Sequence, residues 1–415
     1  MSLHKYIPRG IIYHKLSYDF KNIFRVLYSK LNDENIIKKF ENKFAEYNNS
    51  KFCVAFPFAR MGIYYSLKIK DYPKNSEIIM PPITIKAILD VVLETGLKPI
   101  FVDINEKDFS YNLEDLKSKI NKNTKCILIS YLYGIVPNVD EIIKLCRQNN
   151  LYILEDFSQC LNGNQDQIKT GNFGDVGIYS SSTTKTLDTY GGGLCVMDSE
   201  PIYKRLLEYQ SSQSKTNRVV LLKKIIQDFI RNLVTNFLFF NLITIWLLKI
   251  LDVFNKNNTV KYVGSRSTEK MSKFPGEYFY KFSSFQARIG LETINDVDIN
   301  DSKRIENVEF INKNTKSIDM SNDQSKRNVY WQYLFIFDKY DNKKILETFK
   351  KNKVDTAQTS LPLLPYMENY EFNQETPVAK KIHENGYFIP SYHRLSRKDL
   401  LRISSAVDDI LGKEC

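Results

Sequence analysis

The chain has 415 residues, 43% of them hydrophobic and 26% charged, a globular composition that excludes a disordered chain and suits two cores rather than one small domain. The net charge of +11 is concentrated: residues 211–273 hold eleven Lys/Arg against three Asp/Glu, a balance of +8, which leaves only +3 for the other 352 residues. Six scattered cysteines (Cys53, Cys126, Cys146, Cys160, Cys195 and Cys415) form no CxxC pair, so a disulfide framework or a zinc ribbon is excluded and buried reduced thiols are expected.

Taken in chain order, MSLHKYIPRGIIYHKL has no continuous apolar core of a secretory signal, so a cytoplasmic protein is expected. Asp33 to Asn48 reads as a helix, with Ile36, Ile37, Phe40, Phe44 and Ala45 near the helical period. SEIIMPP, KPIFVDI and KCILISYLYG are strand-like, and AILDVVLETG, LEDLKSKI and VDEIIKLCRQNN are helical between them. That alternation predicts an α/β fold with a mostly parallel sheet covered by helices. NLYILEDFSQ, GDVGIYSSS and GGGLCVMDS continue the strands. SFQARIGLETINDVDIN, VYWQYLFIFD, DNKKILETFKKN and RKDLLRISSAVDDIL then predict a smaller C-terminal α+β domain. The predicted domains are 1–210 (large α/β), 211–274 (a basic, apolar helical insertion) and 275–415 (C-terminal α+β).

Candidate chemistry lies between Leu151 and Gly193. Asp156 ends a buried strand, and Lys185 follows 29 residues later in the loop SSSTTK. Ligands of α/β sheets bind at strand ends. Pyridoxal 5′-phosphate (PLP) needs an amine for its aldehyde, a carboxylate facing its pyridinium nitrogen and donors for its phosphate. Lys185, Asp156, the hydroxyls of 180–184 and the close backbone approach allowed by Gly191–Gly193 are that set. Taken singly each is weak, since strand-terminal acids often cap helices and loop lysines are usually solvated.

Order and spacing together are more specific. ILEDFSQC…GNFGDVGIYSSSTTKTLDTYGGG resembles the signature of the DegT/StrS-type sugar aminotransferases, a branch of fold-type I PLP enzymes, at Glu155-Asp156, Gln159, Gly174-Asp175, Tyr179-Ser180, Lys185 and Gly192-Gly193. EIIMPPITIKAILDVVLETGLKPIFVDI, YLYGIVPNVDEIIKLC, SSFQARIGLETI and GYFIPSYHRLSRKDLLRI are similar to further family segments. The resemblance implies that Lys185 is the Schiff-base lysine, that Asp156 pairs with the pyridinium nitrogen, that Gln159 lies over the cofactor near its ring oxygen and that Ser180 binds the phosphate. It also implies transfer of an amino group from L-glutamate to a nucleotide- or lipid-linked keto sugar for surface glycan or lipopolysaccharide synthesis, and a homodimer. The alternatives are a PLP-dependent sugar dehydratase and a non-catalytic, membrane-associated family member. Family dehydratases typically carry histidine at this lysine, so Lys185 favours transamination.

The sequence departs from the family in four places, one of them Ile85, which follows Thr84 where many relatives place an aromatic against the ring. Phe58-Ala59-Arg60 replaces the usual S-G-T; backbone amides at Ala59 remain for the phosphate, and Arg60 adds a charge-assisted donor. Tyr131 stands where histidine is common. Glu277-Tyr278-Phe279-Tyr280-Lys281 replaces G-Y-N-Y-R, which in relatives reaches the neighbouring active site, so Tyr280 and Lys281 are the candidate substrate residues.

In the insertion, RVVLLKKIIQDFIR reads as an amphipathic helix whose polar stripe is Lys224, Gln227, Asp228 and Arg231. Asn232 to Leu248 follows without a charge, too short and too Asn-rich to span a bilayer easily. Two readings stand: a hairpin packed on protein, or an interfacial anchor with lysines toward anionic head groups. The second places the protein at the inner face of the cell membrane. Nucleic acid is not an expected partner, because broad apolar faces do not serve phosphate contacts.

Overall fold

The computed structural model describes residues 5–254, 271, 273–315, 325–372 and 374–412. Cys415 and residues 255–270 and 272 of the insertion lie outside them. Strands β1 (Phe52–Phe56), β2 (Glu77–Met80), β3 (Lys98–Phe101), β4 (Thr124–Ser130), β5 (Tyr152–Asp156), β8 (Val176–Ser180) and β9 (Gly193–Met197) form one sheet in the order β1-β9-β8-β5-β4-β2-β3. Neighbours among β8, β5, β4, β2 and β3 pair in parallel, and β9 runs antiparallel to both β8 and β1. Six strands therefore point their carboxyl ends the same way. Six of these strands coincide with the short strand-like segments of the sequence, and β4 shows why they read as apolar runs: helices cover both faces, so the alternation of a one-sided sheet disappears.

After α1 (Leu16–Tyr28), the helices on this sheet are α2 (Glu34–Asn48), α3 (Ala59–Lys68), α4 (Lys86–Glu94), α5 (Leu113–Lys119), α6 (Asp140–Gln148) and α7 (Glu200–Ser212). Asp33 caps α2 by accepting from the Ile36 amide, and Asn49 stops it in the left-handed region at φ 61°. Two-residue strands β6 (Asn164–Gln165) and β7 (Ile168–Lys169) make a small hairpin that pairs with β10 (Lys326–Arg327).

The insertion folds as α8 (Arg218–Thr235), α9 (Phe237–Phe239), a π-turn at Phe240–Thr244 and α10 (Ile245–Phe254). Beyond it come α11 (Ser284–Thr293), α12 (Asp296–Lys313), β11 (Tyr333–Ile336), α13 (Asn342–Lys351), α14 (Pro377–Asn385), β12 (Gly386–Ile389) and α15 (Arg397–Leu411). β11 and β12 pair antiparallel, with α14 against β12 and α15 packed on α12 and α13. Helix α11 packs on α2, with Gly290 seated where a Cβ would come within 2.3 Å of the Phe40 ring. The chain's beginning is tied to its later half: the Ile7 amide donates to the Lys353 carbonyl, the Ile7 carbonyl accepts from the Asp355 amide, and Arg9 pairs with Asp355 at 2.7 Å.

The polar stripe of α8 divides: Lys224 and Asp228 turn toward the body of the protein, with Leu221, Ile225 and Asn232 beside them, while Gln227 and Arg231 are exposed. Val219, Ile226, Ile230 and Val234 are exposed too. The cause is a buried polar network that α8 completes. Asn232 donates to Asp19 at 2.6 Å and to the His14 carbonyl at 2.9 Å, while Tyr190 donates to the same Asp19 carboxylate at 2.6 Å. Satisfying those groups outweighs hiding a few methyls.

Candidate active site

Strand pairing alone gathers the site. Phe56 at the end of β1 lies opposite Gly193, and Gly193 lies opposite Ser180 at the end of β8. Asp156 ends the next strand, β5, paired with Ile178. Cofactor and substrate groups at strand carboxyl ends would thus face Asp156, Ser180 and the start of α3 together.

Asp156 is half-buried and among the described residues takes hydrogen bonds from Ser158 alone, whose amide lies 3.1 Å away. Burial pushes its carboxyl above the ordinary aspartate range, while the Ser158 donors and the positive charge of Lys185 pull it back. A carboxylate held this way fits a cationic partner such as a protonated ring nitrogen. Its neighbour Glu155 has a different task. Fully buried, it accepts from Tyr131 at 2.5 Å and from the amides of Gly171, Phe173 and Gly174 at 2.9, 2.8 and 2.6 Å. Tyr131 is therefore a support for that knot, which fixes the turn leading into β8.

Lys185 sits in the turn between β8 and β9, its Nζ 3.8 Å from the centre of the Trp331 indole. Trp331 in turn donates to the Thr184 carbonyl at 2.7 Å. The segment carrying Trp331 is clamped on the large sheet, since Val329 and Tyr330 both donate to the Gly134 carbonyl. A side chain at Gly134 would come within 2.3 Å of the Trp331 amide, so glycine is required there. Sequence reasoning missed Trp331. Nothing local marks a residue that meets Lys185 from 146 positions away.

Gln159 accepts from the Tyr133 amide at 2.6 Å, which assigns its oxygen and leaves its NH2 as the donor end. Ser180 receives a 3.0 Å hydroxyl contact from Ser182, and its amide donates to Ser158 at 2.9 Å. Helix α3 begins at Ala59 with no side-chain cap from Phe58, so its first amides have no partner within the helix. A Cβ at Gly193 would lie 2.4 Å from the Ala59 nitrogen, which shows how closely β9 abuts that helix end. Arg60 donates to the Tyr278 hydroxyl at 2.5 Å and lies over the rings of Phe58 and Tyr278. Uncapped amides, the Ser180 hydroxyl and a cation are the donor set that a phosphate ester needs, so the residues present fit PLP.

The two expected substrate residues are placed less simply. Tyr280 forms an isolated bridge with Ser214, and the ammonium of Lys281 is engaged by Glu34 at 2.9 Å. The next residue, Phe282, packs against Gly192, whose φ of +139° no larger residue adopts readily. The five cysteines of the described residues are buried and unpaired.

Similarity to known proteins extends over most of the chain. The profile of the DegT/DnrJ/EryC1/StrS aminotransferase family matches residues 19–225 and 251–408. GDP-perosamine synthase of Escherichia coli O157:H7 is 24% identical over 381 residues, covering 90% of each chain. GDP-4-keto-6-deoxy-D-mannose 3-dehydratase of Yersinia pseudotuberculosis is 29% identical over 177 residues, 41% of this chain and 45% of that one. The Helicobacter pylori aminotransferase PseC, described as taking part in pseudaminic acid biosynthesis, superposes with a TM-score of 0.73 over 99% of this chain and 100% of its own, at 19% identity. The chain belongs to the DegT/DnrJ/EryC1/StrS aminotransferase family and is a PLP-dependent enzyme of the fold-type I architecture.

Proposed function

We propose that the enzyme transfers an amino group from L-glutamate to the keto group of a nucleotide- or lipid-linked sugar for surface glycan synthesis, acting as a homodimer. The observation that carries this reading is that Asp156 and Ser180 end neighbouring strands while Lys185, in the loop after Ser180, brings its charge to bear on the Asp156 carboxyl. When bound, PLP supplies an electron sink and a carrier for the amino group. Lys185 Nζ takes and returns the proton that must move during transfer. Asp156 would keep a positive charge on the ring nitrogen, and the Gln159 NH2 would serve as a donor toward the ring oxygen. Ala59, Arg60 and Ser180 would hold the phosphate, and the Trp331 indole excludes water from one side of the amine.

The purified chain, incubated with PLP, L-glutamate and a GDP-linked 4-keto-6-deoxy sugar, is expected to give 2-oxoglutarate and an amino sugar in equal amounts by mass spectrometry. A deoxygenated keto sugar in place of the amino sugar would instead favour the dehydratase reading, to which the Yersinia relative lends support. Bound PLP with neither product would favour a non-catalytic member.

The insertion supports a proposal about location: a cytoplasmic enzyme resting on the inner face of the membrane. Among the described residues no single helix is long and apolar enough to cross a bilayer, and α8 meets the helical stretch after it at a 57° bend. Phe20, Phe24 and Leu27 of α1 form an exposed row, and α1 packs along α8, whose own exposed row is apolar. Leu242, Ile243, Trp246, Leu247 and Ile250 extend the exposed apolar side chains, with Trp246 59% accessible. A surface of this size asks for a cover, and the +8 balance of 211–273 favours anionic lipid. The chain is expected to float with vesicles containing phosphatidylglycerol, and the double variant Leu242→Glu/Leu247→Glu to stay in the dense fraction. If the variant floats equally well, the membrane proposal fails. If it is soluble but has lost the dimer by light scattering, the face is an interface between two copies.

A further inference from the structure

The inward turn of α8 brings a cation to a place that its sequence context did not foretell. Lys224 projects from between Leu221 and Ile225, both buried against Val26, Tyr190, Phe285 and Ile289. Its Nζ lies 4.0 Å from the centre of the Phe58 ring, and both Nζ and Cδ come within 3.8 Å of where a Cβ would stand on Gly191. Phe58 is the residue before the uncapped start of α3, and Gly191 opens the glycine run that leads to Gly193 and, across the sheet, to Ser180.

This ammonium is poorly matched by its surroundings. Burial lowers its pKa, and the Arg60 guanidinium adds to the lowering, while Glu277 and Asp228 act the other way. Among the described residues it forms no ion pair and no hydrogen bond, only the contact with the Phe58 ring. The nearest acid on its own helix, Asp228, is occupied by Thr183 and by Arg231 at 3.4 Å. Two cations, Lys224 and Arg60, thus converge on the positive end of α3 with no anion hydrogen-bonded to Lys224.

We infer that Lys224 is a binding residue for the phosphate group of the cofactor, so that the insertion completes the phosphate cradle from within the same chain. The side chain is held ready. α8 is pinned on both sides of Lys224, by Asn232 to Asp19 and by Arg218 to the carbonyls of Val26 and Ser29. A dianionic phosphate placed among the Ala59 amide, Ser180 and Arg60 would relieve the repulsion between the two cations and accept a charge-assisted bond from each. The basic insertion then has a second role, because its helix carries a binding residue as well as an apolar face.

The inference rests on the PLP assignment, and its test separates the two. Equilibrium binding of PLP and of pyridoxal, which lacks the phosphate, is measured on the apo forms of the wild type, Lys224→Met and Lys223→Ala. Methionine keeps an apolar stem in the same packing, and Lys223 is an exposed lysine that removes the same charge next door. Lys224→Met is expected to weaken PLP binding by about 10- to 100-fold with pyridoxal binding unchanged, and Lys223→Ala to leave both unchanged. Wild-type affinity for PLP in Lys224→Met would overturn the inference, as would an equal loss of both ligands or an equal loss of PLP in Lys223→Ala. A wild-type chain that binds no PLP would overturn the cofactor assignment itself.

Discussion

Lys185→Ala is expected to lower the amino-transfer rate by at least about 10³-fold, at the upper end of what a positioned proton carrier contributes. Two roles fall together in this change: the amine that anchors the cofactor carbonyl and the base that moves the proton. Lys185→Arg separates them from mere charge. A guanidinium keeps the positive charge and the stacking on Trp331, but it does not give up a proton near neutral pH. Arginine is therefore expected to be as inactive as alanine, with an unchanged melting temperature. Steady-state release of 2-oxoglutarate checks both variants, and a Lys185→Arg enzyme within tenfold of the wild type would reduce Lys185 to a charge.

Asp156→Asn carries the second large effect, a fall of about 10²- to 10³-fold in kcat, the scale seen when one preorganised electrostatic partner is removed. Asparagine keeps the shape and the ability to accept from the Ser158 amide, but it cannot hold a proton on a facing ring nitrogen. Stability should move the other way. Burial raises the folded-state pKa of this carboxyl, so ionisation costs stability as pH rises from the unfolded aspartate value of about 3.9 through the folded one. At pH 7 the apo Asp156→Asn protein is expected to melt at or above the wild-type temperature. A variant that loses activity and melts lower would mark Asp156 as structural.

The legible parts of the sequence share a property: their residues are neighbours along the chain. Buried strands such as ILIS and YILED announce themselves as apolar runs, and Asp156 and Ser180, at the ends of neighbouring strands, lie within 30 positions of each other and of Lys185 in the loop that follows. The C-terminal helix α15 was plain for the same reason, its Ser396 cap and apolar spacing being contiguous. What escaped depends on contacts between distant segments. Helical period defines the two faces of α8 but not which one looks inward, and that choice belongs to Asp19, His14 and Tyr190, over 25 positions away at the least. Trp331 reaches Lys185 only because Gly134 lets a distant segment close in. Likewise Tyr131, a departure from the family, gains its meaning from the hydrogen bond to Glu155.

The central claim is that Lys185 is the residue that carries the cofactor. Its most direct test is borohydride reduction of the chain incubated with PLP, followed by peptide mapping. The expected result is one stable adduct, located on the peptide containing Lys185 and absent from Lys185→Arg. An adduct on another lysine, or none on a folded chain saturated with PLP, would contradict it.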